Sequence, residues 1–481
     1  MTRFCSIIVL ILPALPLAGQ SPLNVLFIAV DDLRPALGCY GDATAITPNI
    51  DRFAMRGLVF DQAHCQQAVC NPSRASLMTG RRPDSTRVWD LATHFREALP
   101  EVVTLPQHFR NHGYLASSIG KIYHGSGKPA KDEPSWSESP LHDVVRDPRL
   151  RYAKPENVNG KGLKRASVEN ADVGDSAYID GVVCDAALES LTRLKTVGAP
   201  FFLAGFRKPH LPFCAPKRYW DLYNPDSIPA AESDQHPTGA PELAVRSWDE
   251  LEGYSDIPKN GQLPVGKKQE LRHGYYACVS YIDAQVGRLL DRLDELHLTE
   301  STVICLWGDH GFHLGEQGLW TKANNYEWST RTPLILAVPG QSNPGLHSPA
   351  LVELVDLYPT LAEVCHLLPP SGSEGVSLLP LLENPERPWK SAVFSQYPRN
   401  RVGARHTAHG DIMGYAMRTA QYRYVEWLDW QSGAVKAREL YDHQSDPEEM
   451  LNLATSPAHA DLIPKLSQQL RTGWKGATPA Q

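Results

Sequence analysis

Five short apolar runs, each bounded by polar or glycine-rich turns, constrain the fold of this 481-residue chain more than any other feature. They are NVLFIAV from Asn24, YLASSI from Tyr114, PFFLAGF from Pro200, TVICLW from Thr302 and PLILAV from Pro333. Their length and their β-branched and aromatic content suit strands buried on both faces. Helical spacing separates them. Val279, Ile282, Val286, Leu289, Leu290 and Leu293 recur on one face of a helix expected over 268–297, and Cys184, Leu188 and Leu191 mark another just before PFFLAGF. Strands alternating with helices predict an α/β fold, a mostly parallel sheet sandwiched by helices.

In such sheets ligands gather outside the carboxyl ends of the strands. Polar residues stand there in this chain: Asp31 and Asp32 after the first run, Lys121 and His124 after the second, His210 after the third, Asp309 and His310 after the fourth. PLILAV ends in Pro339 and Gly340 and is expected to supply only core. The stretch from Lys131 to Asp175 is polar and lacks periodicity, which suits a long surface insertion; a passive loop and a substrate-contacting one are equally compatible with it. A Gly-, Ser- and Pro-rich stretch from Ser371 to Pro388 leads into the strand-like runs SAVFSQY, GYAMRT and YRYVEWLDW. These predict a catalytic domain over 21–385 and a smaller C-terminal α+β domain over 386–481 that contributes to the substrate pocket.

Composition narrows the partners. The formal net charge of −7, with no long basic run, gives no support for nucleic acid. The first 20 residues place Arg3 before a short apolar stretch, broken by Pro13 and Pro16, that ends near Ala18 and Gly19. They read as a secretory signal peptide, so an exported protein without a membrane span is expected. Eight cysteines remain once Cys5 leaves, scattered without paired spacing, and neither a disulfide framework nor a C-x-x-C metal site is expected.

One cysteine stands apart. Cys70 opens CNPSRASLMTGR, in which Pro72, Ser73, Arg74, Thr79, Gly80 and Arg81 follow at fixed offsets. A lone free cysteine is usually a packing residue; six further specified positions argue against that reading here. Asp31 and Asp32 are adjacent, so on a regular strand they would point to opposite faces, and both reach one ion only if the strand has already ended. With Asp309 from another strand end they make a hard oxygen site suited to calcium or magnesium. Imidazole is an uncommon ligand for such ions, and His310 is read either as a ligand or as a hydrogen-bond partner of the nucleophile or substrate.

The Cys70 run fits C-x-P-S-R-x-x-x-x-T-G-R, which resembles the signature of the sulfatase family. The blocks VDDLRPALGCYGD, QQAVCNPSR with TGRRPD, GKIYH, KPHLPF, GDHGFHLGEQGLWTK, SQYPR and IMGYAMRT are similar to the iduronate-2-sulfatase branch across nearly the whole chain. The resemblance implies an alkaline-phosphatase-like fold. It also implies that a maturation enzyme oxidises Cys70 to formylglycine, and that one calcium ion is held by Asp31, Asp32, Cys70, Asp309 and His310. One hydroxyl of the hydrated aldehyde would attack sulfur, expelling the sugar alcohol, and the other would then eject sulfate. Arg74, Lys121 and Lys322 match family positions that meet the sulfate charge. His124 is assigned to the diol and His210 to protonation of the leaving alcohol.

Substrate contacts are expected from the basic cluster Arg399, Arg401, Arg405, His406 and His409, which either reads a uronate carboxylate or forms a solvated loop. Trp320 either presents a face to a sugar or packs. The expected substrate is a sulfated, uronate-containing glycan, with iduronate 2-sulfate foremost. Two other functions remain in view: a phosphomonoester or phosphonate hydrolase on the same scaffold, and a non-catalytic glycan-binding protein. The oligomeric state is not legible in the sequence.

Overall fold

The computed structural model describes residues 22–124, 132–142, 147–162, 164–245, 250–259, 262–399 and 411–479. The expected signal peptide and Arg401, Arg405, His406 and His409 lie outside the described residues. The chain builds a seven-stranded sheet from β1 (Asn24–Val30), β2 (Leu58–His64), β3 (Leu115–Gly120), β4 (Pro200–Phe206), β5 (Thr302–Gly308), β6 (Leu334–Ala337) and β7 (His347–Glu353), in the order β3-β4-β1-β5-β6-β2-β7. Every expected run is a strand. Two more, β2 and β7, were not anticipated, because LVFDQAH and HSPALVE mix polar residues into short apolar stretches.

The sheet is parallel except at β6, which runs antiparallel to both β5 and β2. Its carboxyl end therefore points away from the others, which accounts for the absence of a polar cluster after PLILAV. Each face of the sheet carries its own core. Along β1, Leu26, Ile28 and Val30 pack toward α2 (Ile179–Leu194) and α3 (Val265–Glu295). Val25, Phe27 and Ala29 pack with Ala75, Leu77 and Met78 of α1 (Cys70–Thr79). This is the period-2 pattern of a strand buried on both sides, and each large side chain so buried contributes roughly 2 kcal/mol.

The C-terminal region forms an antiparallel sheet of β8 (Ala392–Arg399), β9 (Ile412–Thr419), β10 (Tyr422–Asp429) and β11 (Val435–Asp442), backed by α4 (Leu462–Thr472). β11 was not foreseen, since VKARELYD alternates with charged residues on its open face. The insertion before Asp175 is not featureless: Val168–Glu169 pairs in parallel with Phe213–Cys214 just after β4. All eight described cysteines are free, and no helix among the described residues is long and apolar enough to cross a membrane.

Candidate active site

The strand ends supply the site, and backbone geometry decides where each side chain points. The ladder around β1 continues past its end, with Asp31 N donating to Phe206 O at 3.2 Å and Asp309 N to Val30 O at 3.2 Å. Asp32 then adopts φ 58°, a left-handed conformation that aspartate tolerates better than most residues. Strand alternation ends there, so both carboxylates serve one cluster. Asp32 N donates to Asp309 Oδ1 at 3.0 Å, which fixes the turn against the end of β5.

Cys70 occupies the first turn of α1 and is 1% exposed. Its Sγ lies 3.4 Å from His310 Nε2 and 4.0 Å from Asp32 Oδ1. Burial, reinforced by Asp31, pushes the Cys70 thiol well above its ordinary pKa, so the unmodified side chain stays protonated and is a poor nucleophile. Three residues along the helix, Ser73 Oγ donates to Asp309 O at 2.5 Å.

Arg74 is fully buried, and the structure gives it another task than meeting sulfate. Its Nε donates to Asp309 Oδ2 at 2.8 Å, Nη2 to Asp31 Oδ1 at 3.2 Å, and Nη1 to the carbonyls of Lys121 and Ile122 at 2.6 and 2.9 Å. The guanidinium thus ties three strand ends together. The same spot requires a close approach of β3 and β4: a Cβ on Gly205 would come within 2.2 Å of Lys121 O, and one on Gly120 within 2.0 Å of Gly205 O. Glycine at both positions lets the Lys121 carbonyl reach Arg74.

Two lysines complete the charge balance. Lys121 Nζ pairs with Asp31 Oδ2 at 2.5 Å, and Lys322 Nζ pairs with Asp32 Oδ2 at 2.7 Å. Burial alone would raise the Asp31 pKa, yet Lys121, His210 and Arg74 overcome it and hold the carboxyl well below the usual range. For Lys322, Asp32 and Glu250 outweigh a desolvation that works the other way, so its pKa rises. The loop carrying Lys322 is braced by Glu316, which accepts from Arg34 Nη1 at 2.9 Å and Arg272 Nη1 at 3.0 Å.

His210 follows β4 in a turn that Asp180 and Lys208 shape. Asp180 accepts from the backbone N of Arg207 and Lys208, and Lys208 Nζ donates to the carbonyls of His210 and Pro212. The ring Nδ1 lies 2.6 Å from Leu211 O, so it carries the hydrogen and leaves Nε2 facing the site. His124 is half-buried; desolvation first, then Lys121, depresses its pKa well below the ordinary value. Burial likewise lowers His210.

Glu250 belongs to this cluster and was not foreseen. Its Oε2 lies 3.0 Å from Lys322 Nζ and its Oε1 3.4 Å from His210 Nε2. No strand end or motif marks it in the sequence. Of the expected substrate contacts, Trp320 is partly buried: it packs against the main core and also lines a pocket with Leu251, His236 and Lys268. Arg399 is buried, donates from Nε to Leu243 O at 2.7 Å and stacks 4.3 Å from the Tyr397 ring, so it is fixed in packing.

The donor set fits a divalent cation. Asp31, Asp32 and Cys70, together with His210, offer atoms within 4.8 Å of one another, as do Cys70, Asp309 and His310. Asp32 Oδ1 and Asp309 Oδ1 turn toward His310 Nε2, at 3.5 and 3.6 Å, while their second oxygens take Lys322 and Arg74. Two carboxylate oxygens and an imidazole nitrogen converging this closely, with only the Asp32 N–H and the Cys70 thiol as nearby donors, are what a divalent ion relieves.

The sulfatase family model matches residues 23–367, and a second, described as N-sulphoglucosamine sulphohydrolase, C-terminal, matches residues 315–475. Iduronate 2-sulfatase of Homo sapiens is 36% identical over 513 residues, covering 92% of each chain. A phosphonate monoester hydrolase structure from Agrobacterium radiobacter superposes with TM-score 0.78 at 20% identity, over 94% of this chain and 96% of that one. A structure bound to its substrate D-glucosamine-2-N,6-O-disulfate gives 0.73 at 22%, over 95% and 98%. At those identities the two structures establish the fold, and the relative and family model establish more: this chain belongs to the sulfatase family, with the iduronate 2-sulfatases among its relatives, and is a sulfuric ester hydrolase.

Proposed function

We propose that the chain is an exported, calcium-dependent sulfatase acting on a uronate-containing glycan, with iduronate 2-sulfate as its substrate. The observation that carries the reading is the position of residue 70, buried at the head of α1 among three carboxylates, two lysines and two histidines. The similarity to iduronate 2-sulfatase over 92% of the chain supports the choice of sugar.

Asp31, Asp32, Asp309 and His310, with residue 70, would hold a calcium ion, which would supply Lewis-acid polarisation of a sulfate oxygen and a lowered pKa for a hydroxyl beside it. Residue 70, as formylglycine made by a maturation enzyme, supplies the nucleophile as a hydrated aldehyde. The chain's other residues bind and orient. Lys121 and Lys322 meet the sulfate charge from two sides, and Arg74 holds Asp31 and Asp309 in place from behind them. His124 assists the diol. His210 Nε2 gives its proton to the departing sugar oxygen.

Sulfate release from defined disaccharides tests the reading, comparing iduronate with glucuronate and 2-sulfate with 6-sulfate. Preferential release from iduronate 2-sulfate is expected, and silence on every 2-sulfated uronate overturns it. An unmodified thiol at Cys70 in active enzyme, seen by mass spectrometry, removes the formylglycine step. The phosphonate monoester hydrolase fold match motivates one comparison: aryl sulfate should turn over faster than an aryl phosphonate ester.

A further inference from the structure

Glu250 joins the leaving-group side of the site to the insertion that precedes α2, and its placement is built rather than incidental. Leu251, Tyr254 and Ile257 anchor its stretch in the main core. The insertion then straps it from outside: Lys164 Nζ donates to Glu250 O at 2.8 Å, Ser255 N to Arg165 O at 2.8 Å, and Ser167 N and Oγ to the Asp256 carboxylate at 2.8 Å each. Lys164 also lies 5.5 Å over the Tyr254 ring. The carboxylate that results is 17% exposed and spans Lys322 and His210.

We propose that Glu250 is a positioning residue for proton delivery to the leaving alcohol, and that the insertion exists in part to hold it. The inference rests on the sulfatase reading above. His210 is pinned at Nδ1 by the Leu211 carbonyl, and Glu250 Oε1 faces the opposite edge, so the ring has one orientation. Glu250 Oε2 also pairs with Lys322 Nζ, but the shorter contact of Lys322 is to Asp32 Oδ2, which keeps the lysine in place when the Glu250 charge is removed. In the step served, a hydroxyl of residue 70 bonds to sulfur as the sulfur–oxygen ester bond breaks; that bond's electron pair stays on the sugar oxygen, which takes the Nε2 proton of the doubly protonated His210 ring held beside Glu250 Oε1, leaving the neutral ring with its hydrogen on Nδ1. Glu250 stays ionised throughout and touches neither sulfur nor the leaving oxygen.

A sugar alkoxide needs that proton, whereas a nitrophenolate leaves without it. Glu250→Gln and Glu250→Asp should therefore be compared with wild type on a 2-sulfated uronate disaccharide and on a nitrophenyl sulfate. Glu250→Gln is expected to lower kcat on the disaccharide by about 10²-fold, with KM within about twofold, and kcat on the aryl ester by less than about fivefold. Glu250→Asp should recover part of the disaccharide loss. Equal losses on the two esters, or a gain of activity, overturn the proposal; so does a drop in metal content or melting midpoint that accounts for the whole loss. A wild-type enzyme silent on both esters would instead refute the sulfatase reading.

Discussion

The molecule buries two clusters of charge that look alike in composition and differ in closure. One is the cradle at the strand ends. The other lies where the C-terminal sheet meets the Lys322 loop. There Arg423 pairs through Nε with Glu449 and through Nη2 with Glu327, while its Nη1 donates to Asn325 O at 2.8 Å. His443 Nε2 lies 2.8 Å from Glu449 Oε1, and Glu327 N donates to Glu449 Oε2 at 2.8 Å. Glu327, His443 and Glu449 sit close enough together to suggest a metal site. Arg423 already supplies the cation, however, and both oxygens of Glu449 are occupied. In the cradle, by contrast, Asp309 Oδ1 accepts from Asp32 N, but Asp32 Oδ1 meets only the Cys70 thiol at 4.0 Å and His310 Nε2 at 3.5 Å, a ring whose other nitrogen faces Gly311 O. Local charge alone does not distinguish a binding site from a strut; the presence of uncommitted acceptor atoms does.

The contrast can be broken most severely at the cradle. Asp309→Asn should cut sulfate release by about 10²–10³-fold and abolish the bound metal measured by atomic emission, whereas Glu449→Gln should keep the wild-type metal content. The closed cluster should fail differently. Arg423→Met takes away the cation that Glu327 and Glu449 share, leaving them Arg418 at 3.4 Å and His443 at 2.8 Å, and should cost about 3 kcal/mol in urea unfolding, with metal still bound by the folded fraction. Metal removal comes next in size. Stripping the protein with chelator and restoring calcium to about 100–1,000 times its Kd should recover roughly 3–4 kcal/mol of stability, and Glu327→Gln should leave that increment unchanged.

The smallest effect is a pH dependence beside the closed cluster. His64 is fully buried, and desolvation foremost lowers its pKa to about 3. Its folded pKa lies below the unfolded value of about 6.5, so the unfolded chain binds the proton first. Stability from this group is complete above about pH 6.5 and falls as pH drops toward 3, by about 1.4 kcal/mol per unit. His64→Leu should flatten that decline, sparing roughly 2–3 kcal/mol at pH 4.5 in denaturant titrations. An unchanged slope would mean the imidazole finds a partner on protonation.

Much of the cradle is legible in the sequence because it stands where buried strands stop. Asp31, Lys121, His210 and Asp309 each follow an apolar run, and runs buried on both faces announce themselves without alternation. β2, β7 and β11 carry polar residues on one side and do not. The reversal of β6 is a matter of pairing, which composition does not record. Arg74 shows the limit for a single residue: the signature places it beside the nucleophile, but only the structure shows its donors committed to Asp31, Asp309 and two carbonyls. Glu250 is invisible beforehand because its position depends on two distant segments pairing around Arg165 and Ser167.

The depth of Cys70 has a consequence for biosynthesis. At 1% exposure, with α1 docked against β5 through Ser73 and Arg74, its sulfur is out of reach of any protein-sized catalyst. On the formylglycine reading proposed above, the oxidising enzyme must meet the chain before this helix settles, while the segment is still extended enough to be threaded through a foreign active site. Folded thiol enzyme would then be a dead end, and active protein would depend on a host that supplies the oxidising enzyme during synthesis, not on treatment afterwards.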